Sequence, residues 1–419
     1  MNDMRLPVCP PGRAAGTDGG VRPLRVLHIY RTYFPDPPGG LQEAIRQIAL
    51  SCSERGIESR IFTLSPTPEP EVVSLPEAQV VRTRSWAAPA SCDLGGPQSL
   101  LRFRALERWA DVLHFHFPWP FGDMLRMLGR RNKPAVMTYH SDIVRQRYLG
   151  MLYKPLMRRM LDSMDAVVAT SPTYAHTSPV LGTMVKKRRL HAIPLGIGDY
   201  ASATPTSNDA ALLARFGLDD DCAGAPVFLA LGVLRYYKGL HTLIEAAGDV
   251  PATIVIAGSG PEMERLRALA VKHRADRVVF AGQVSDAEKV ALLRRCRALV
   301  LPSHLRSEAF GMVLVEAAMF GKPMVCCEIG SGTSFVNEHG VTGFVVPPEA
   351  PTEMAAALRQ LLADSALATR MGKAARERYL RLFSGTALGK AYDDLYREVA
   401  QTHYAAHRVT GAGATEGSC

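Results

Sequence analysis

Short unbroken apolar runs alternate along the chain with longer stretches of helical spacing. The runs at 25–30 (RVLHIY), 58–65 (ESRIFTLS), 80–82, 112–117 (VLHFHF), 135–139 (AVMTY), 166–169 (AVVA) and 191–194 read as strands. Between the first two, LQEAIRQIALSCSERG places Leu41, Ile45, Ile48 and Ala49 on one helical face and stops at Gly56. This alternation predicts a parallel sheet with crossover helices.

The pattern restarts after a polar, irregular stretch at 200–225. VFLALGVL, ATIVIAG, RVVFAG, ALVLPS, PMVCCE and VTGFVVP then read as strands separated by helices, and a long final helix closes the chain. The expectation is an α/β protein of two Rossmann-like, doubly wound domains facing across a cleft. Residues 1–22 read as a disordered leader, 23–196 as the first domain and 197–385 as the second. Residues 386–404 read as the final helix and 405–419 as a disordered tail. Ligands of such sheets bind at the carboxyl ends of the strands, so the motifs that matter lie there.

Composition narrows this further. With 419 residues and 47% hydrophobic composition, the chain can bury a large core without disulfides. No run approaches the length of a membrane span, and the first residues lack the apolar core of a signal peptide. Eight scattered cysteines without zinc spacing fit a reducing, cytoplasmic compartment.

The segment SEAFGMVLVEAAMFGKP (307–323) carries the strongest chemistry. A helix starting near Phe310 and ending at Gly321 would offer the amides of Phe310, Gly311 and Met312 to a phosphate. Glu308, just before it, and Glu316, within it, are eight residues apart. At about 1.5 Å per residue they stand roughly 12 Å apart, too far for two carboxylates acting on one glycosidic bond. They suit the two ends of an extended ligand. In GVLRYYKGLHTLIEA, Gly232, Arg235 and Lys238 fall in a strand-to-helix turn where cations can hold a diphosphate. Gly258 and Gly260 of AGSGP permit close backbone approach, and Gly39 and Gly40 open the first helix. His114, His116, His140 and Ser171 sit at neighbouring strand ends. His140 is chosen for the reacting sugar, and His114 and His116 for the acceptor site. Asp219 to Asp221 read as a solvated turn, and no metal is assigned.

Together these segments resemble the family 4 retaining glycosyltransferases of GT-B fold, over about residues 24–400. RVLHIYRTYFPD, HFHFPWPFGDML, TYHSDIVRQRYL and PSHLRSEAFGM are similar to bacterial O-polysaccharide mannosyl- and rhamnosyltransferases that use GDP-sugars. The resemblance implies an amino-terminal acceptor domain and a carboxyl-terminal nucleotide-sugar domain. It places Glu308 and His140 at the donor sugar, Glu316 at the ribose, Arg235 and Lys238 at the diphosphate, and Gly40 near the phosphates or acceptor. It implies a final helix crossing back to the first domain, retention of configuration and no cofactor beyond the donor. An oxidoreductase is disfavoured because the first turn, FPDPPGG, lacks a G-x-G-x-x-G. A UDP-hexose donor, or a non-catalytic nucleotide- or nucleic-acid-binding protein, stays open.

Charge adds a partner. The chain carries +9, yet residues 101–195 hold sixteen Lys/Arg against six Asp/Glu. The basic segment 145–189 mixes Arg145, Arg147, Lys154, Arg158 and Arg159 with apolar residues and ends in Lys186 to Arg189. That pattern suits an anionic membrane surface bearing a polyprenyl-diphosphate-linked saccharide, with the protein attached peripherally to the inner leaflet. No nucleic-acid motif accompanies it.

Overall fold

The computed structural model describes residues 22–36, 39–89, 92–129, 132–142, 147–202, 209–218 and 226–412. Two sheets organise them. The first contains β1 (Arg25–Ile29), β2 (Glu58–Ser65), β3 (Val72–Ser74), β4 (Gln79–Ala87), β5 (Leu94–Gly95), β6 (Val112–Phe117), β7 (Ala135–Tyr139), β8 (Ala166–Ala169) and β9 (Leu190–Ala192). Their spatial order is β3-β4-β2-β1-β6-β7-β8-β9, with β5 on β4. Only β3 and β5 run antiparallel to their neighbour. β6, β7 and β8 are buried at every position because helices cover both faces, which is why they read as unbroken apolar runs.

The second sheet contains β10 (Val227–Leu231), β11 (Thr253–Ala257), β12 (Val278–Gly282), β13 (Ala298–Leu301), β14 (Met324–Cys327) and β15 (Gly343–Val346). Its order, β12-β11-β10-β13-β14-β15, is all parallel and is that of a Rossmann sheet. The order reverses between β10 and β13, and a crevice opens at their carboxyl ends. In the first sheet the reversal falls between β1 and β6.

The end of the chain departs from expectation. Three helices follow β15, at Pro351–Ala363, Ser365–Leu382 and Gly385–Ala412, where one was expected. Asp364 separates the first two by capping the second: its side chain accepts from the amide of Leu367 at 2.8 Å. The last helix packs on the first, Gly40–Ser53. Gly389 permits this approach, since a Cβ there would stand 2.3 Å from the carbonyl oxygen of Ser51. Its Tyr392 and Tyr396 are fully buried against the first sheet. The helix runs to Ala412, so residues 405–412, expected in the disordered tail, are helical; alanines favour that extension. Arg22, expected in the leader, forms a paired contact with Asp111 at 2.7 and 2.8 Å. The remainder of the leader and residues 413–419 lie outside the described residues.

Candidate functional site

At the reversal of the second sheet, the turn after β10 meets the loop after β13. Gly239 makes the contact possible. Its φ is +66°, and a Cβ would lie 2.0 Å from the carbonyl oxygen of Pro302. The two turns thereby bring Lys238 Nζ to 2.5 Å from Glu308 Oε2, and Ser303 Oγ donates to the same oxygen at 3.2 Å. Both partners are mostly buried. Burial is the largest influence and lowers the basicity of Lys238, but the charge of Glu308, the neighbouring Tyr237 and the hydrogen bond to Glu308 together outweigh it, and the net shift is upward. Lys238 is therefore a fixed cation. Arg235, one turn away, is exposed, and its guanidinium has no partner among the described residues.

Glu308 lies in a loop, and the helix after it spans Met312–Met319, starting and ending two residues short of the expected limits. Gly311 causes the late start, since it caps the helix in the left-handed region at φ +85°. The amides of Phe310, Gly311 and Met312 donate to no backbone carbonyl among the described residues. Glu316 projects from this helix. Its Oε1 accepts from Tyr200 Oη at 2.8 Å and from Lys289 Nζ at 2.9 Å. Burial opposes the charge on Lys289, and Glu316 together with Asp286 restores it, with a net upward shift. Sequence reading missed both partners of Glu316, because neither stands near it in the chain.

The glycine turns divide by what they touch. Gly258, at φ +140°, would place a Cβ 1.9 Å from the carbonyl oxygen of Gly232, and Gly260 would place one 2.4 Å from that of Leu234. Their close approach is to the backbone of the β10 turn, which also bonds Ser259 through the amide of Leu234 at 2.9 Å. Gly232 itself has φ +134°, and a Cβ there would stand 3.7 Å from the end of the Lys238 side chain. Gly39 caps the first helix, and a Cβ on Gly40 would meet open space.

The histidines form a buried chain. His28 Nδ1 lies 3.1 Å from His116 Nε2, and His116 Nδ1 lies 3.1 Å from His140 Nε2. His114 is tied to Tyr396 Oη and Thr138 Oγ1, each at 2.7 Å, and is fully buried. It therefore anchors the final helix and does not line an acceptor site. His116 is likewise enclosed, held between two rings. Ser171 is fully buried and caps the helix Pro172–Thr177 by accepting from the amide of Tyr174 at 3.0 Å. The cause in all three cases is position within or directly below a covered sheet face. His140 remains at the edge, with Nδ1 unpaired among the described residues. Burial lowers the pKa of His28 and of His140 to about 3, and burial followed by neighbouring rings lowers those of His114 and His116. All four rings are neutral at pH 7.

One arginine that the sequence did not single out links the two halves. Arg306 stands two residues before Glu308. Its guanidinium lies 3.6 Å from Asp142, bonds the carbonyl of Gly330, and sits 5.4 Å over the ring of Tyr174. Asp142 is held in turn by Tyr139, Tyr174 and Ser178 at 3.0, 2.9 and 2.8 Å. The Glu308 loop and the His140 loop are thus joined.

In the basic stretch, the helix Arg147–Asp162 buries Met157, Met160 and Leu161 in the core of its own domain. Lys154, Arg158, Arg159, Lys186 and Arg188 are exposed. Among the described side chains of this segment, these apolar residues are thus spent on the fold and the exposed positions named are cationic. Arg145 and Asp219 to Asp221 lie outside the described residues. No helix among the described residues is long and apolar enough to cross a membrane.

Two doubly wound sheets, with paired carboxylates and cations at the reversal of the second, define a glycosyltransferase of GT-B architecture. Residues 38–198 match the family described as Glycosyltransferase Family 4, and residues 223–378 match Glycosyl transferases group 1. The D-rhamnosyltransferase WbpZ of Pseudomonas aeruginosa is 44% identical over 86% of this chain and 92% of its own length. The O-antigen chain mannosyltransferase C of Escherichia coli is 37% identical over 90% of this chain and 100% of its own. A solved sucrose-phosphate synthase from Thermosynechococcus elongatus shares the fold, with a TM-score of 0.73 at 23% identity, covering 90% of this chain and 100% of that one. The chain belongs to the group 1/family 4 glycosyltransferases.

Proposed function

We propose that the protein is a retaining glycosyltransferase that moves mannose or D-rhamnose from a GDP-sugar to a polyprenyl-diphosphate-linked saccharide during assembly of an O-antigen-type polysaccharide. The observation that carries the reading is the Lys238–Glu308 pair at the sheet reversal, beside an exposed Arg235 and three amides that, among the described residues, donate to no backbone carbonyl. Lys238, Arg235 and the amides hold the diphosphate and stabilise the charge it gains as it leaves. Glu308 accepts hydrogen bonds from the donor sugar, and Glu316 receives the ribose through the carboxylate oxygen that Tyr200 and Lys289 leave free. His140, neutral and at the cleft edge, hydrogen-bonds the sugar and does not cycle a proton. The acceptor hydroxyl passes its proton to the departing diphosphate on the same face, which retains configuration. These cations carry the charge of the reaction, so transfer proceeds without a metal. The names of the two relatives support the choice of sugar and pathway.

The exposed cations Lys154, Arg158, Arg159, Lys186 and Arg188 bring the protein to the inner face of the cytoplasmic membrane by charge. Binding to anionic liposomes that disappears in moderate salt supports this contact, and salt-resistant or absent binding contradicts it. The transfer reading is tested by offering the purified protein GDP-mannose, GDP-rhamnose and UDP-hexoses with a synthetic lipid-linked acceptor, with and without chelator. Product mass identifies the donor, and the anomeric coupling of the product reports configuration. A product only from UDP-hexoses, an inverted product, or a loss with chelator at unchanged melting temperature overturns the corresponding part.

A further inference from the structure

Three side chains that play no part in the transfer scheme converge at the carboxyl edge of the second sheet. His304 follows β13, His241 lies in the first turn of the helix Leu240–Ala247, and Glu349 follows β15. One potential ligand atom from each lies within 4.8 Å of the others. His304 is only 8% exposed, yet both of its ring nitrogens are buried without a hydrogen-bond partner. Leaving a buried donor or acceptor unpaired is costly, so an imidazole orphaned at both nitrogens points to a partner not yet assigned. The ring of His241 lies edge-on to that of His304, with centroids 5.1 Å apart, and stacks on Tyr236 at 5.7 Å. Glu349 is exposed and is presented at φ +54°, which non-glycine residues seldom adopt.

We propose that His241, His304 and Glu349 bind one divalent transition-metal ion, with Zn²⁺ the best match. Two imidazoles and a carboxylate suit this class of ion, whereas Mg²⁺ and Ca²⁺ prefer all-oxygen sites. Bonds of about 2.0–2.2 Å require the ligand atoms to draw in by roughly 1 Å from the limit of their present spread, and the exposed Glu349 is the arm free to move. The other histidine cluster, His28, His114 and His116, lacks this opening. Both nitrogens of His114 and both of His116 are already hydrogen-bonded. The ion ties together the turns after β10, β13 and β15. His241 follows Gly239, and His304 adjoins Ser303, so the metal braces the Lys238–Glu308 pair from outside the substrate path. This role is structural and leaves the metal-free transfer scheme intact.

The test uses untagged, chelator-stripped protein titrated with ZnCl₂ in a calorimeter, with Co²⁺ as a spectroscopic probe. One saturable site, a higher melting temperature with Zn²⁺, and visible d–d bands with Co²⁺ are expected. His304→Ala should abolish binding. Because that variant can fail to fold, His241→Asn and Glu349→Gln, at half-buried and exposed positions, are measured too, and each should weaken affinity by ~10-fold or more. No saturable Zn²⁺ site, or unchanged affinity in both surface variants, overturns the proposal. Sugar transfer is not the readout, so the metal site and the transfer reaction can fail separately.

Discussion

Lys238 Nζ stands 2.5 Å from Glu308 Oε2 across the reversal of the second sheet, and the two charges hold each other in a largely buried setting. Removing one partner leaves the other unpaired, at a cost of about 3–5 kcal/mol for a fully buried pair and less here. Lys238→Met should therefore unfold at distinctly lower urea concentration than wild type. Lys238→Met combined with Glu308→Gln should regain much of that loss while remaining inactive. A double variant as unstable as Lys238→Met would show that the two groups do not act as a pair.

The four buried histidines set a pH dependence. The unfolded chain takes up protons on these rings below about pH 6.5. In the folded chain His28 and His140 resist protonation until about pH 3. The unfolded state thus binds more protons across that window, and stability falls as pH falls, by at most about 1.4 kcal/mol per pH unit for each ring. The urea midpoint should drop clearly between pH 7 and pH 5. An unchanged midpoint would contradict the neutral chain.

Two glycines offer a contrast. Gly258→Ala forces a Cβ to 1.9 Å from the carbonyl oxygen of Gly232 at φ +140°, and should destabilise the protein by about 2–4 kcal/mol. Gly40→Ala meets open space at a helix start and should leave stability unchanged or raise it by up to about 1 kcal/mol. Any loss of transfer in Gly40→Ala then reports on ligand contact alone. Equal melting temperatures for the two variants would contradict the packing described.

Tyr396→Phe removes the hydroxyl that meets His114 Nδ1 at 2.7 Å and should cost about 1–3 kcal/mol. Tyr404→Phe, at an exposed position on the same helix, should stay within about 0.5 kcal/mol of wild type. Equal stability of the two variants would mean that the final helix is not anchored through His114.

Legibility in the sequence followed local pattern. Strands buried on both faces, such as Val112–Phe117 and Ala166–Ala169, show as apolar runs and were placed to the residue. The edge pieces Val72–Ser74 and Leu94–Gly95 are too short to carry a period and were missed. Glu308 and Lys238 were legible because each lies in a strand-to-helix turn. Lys289 and Arg306 were not, since their roles depend on contacts made only after the sheet order is set. His114 misled for a related reason. Its place near a strand end suggested a ligand, but the returning helix covers it with Tyr396, and nothing local in VLHFHF encodes that helix.

The account rests on Glu308 acting on the donor sugar beside a diphosphate held by Lys238. Its most direct test is the rate of sugar transfer from a GDP-sugar to a lipid-linked acceptor by wild type and by Glu308→Gln, measured well below the melting temperature of each, where both are folded. Loss of an interaction made in the transition state should lower the rate by about 100-fold or more. Transfer by Glu308→Gln at near wild-type rate would contradict the assignment of this cradle as the catalytic site.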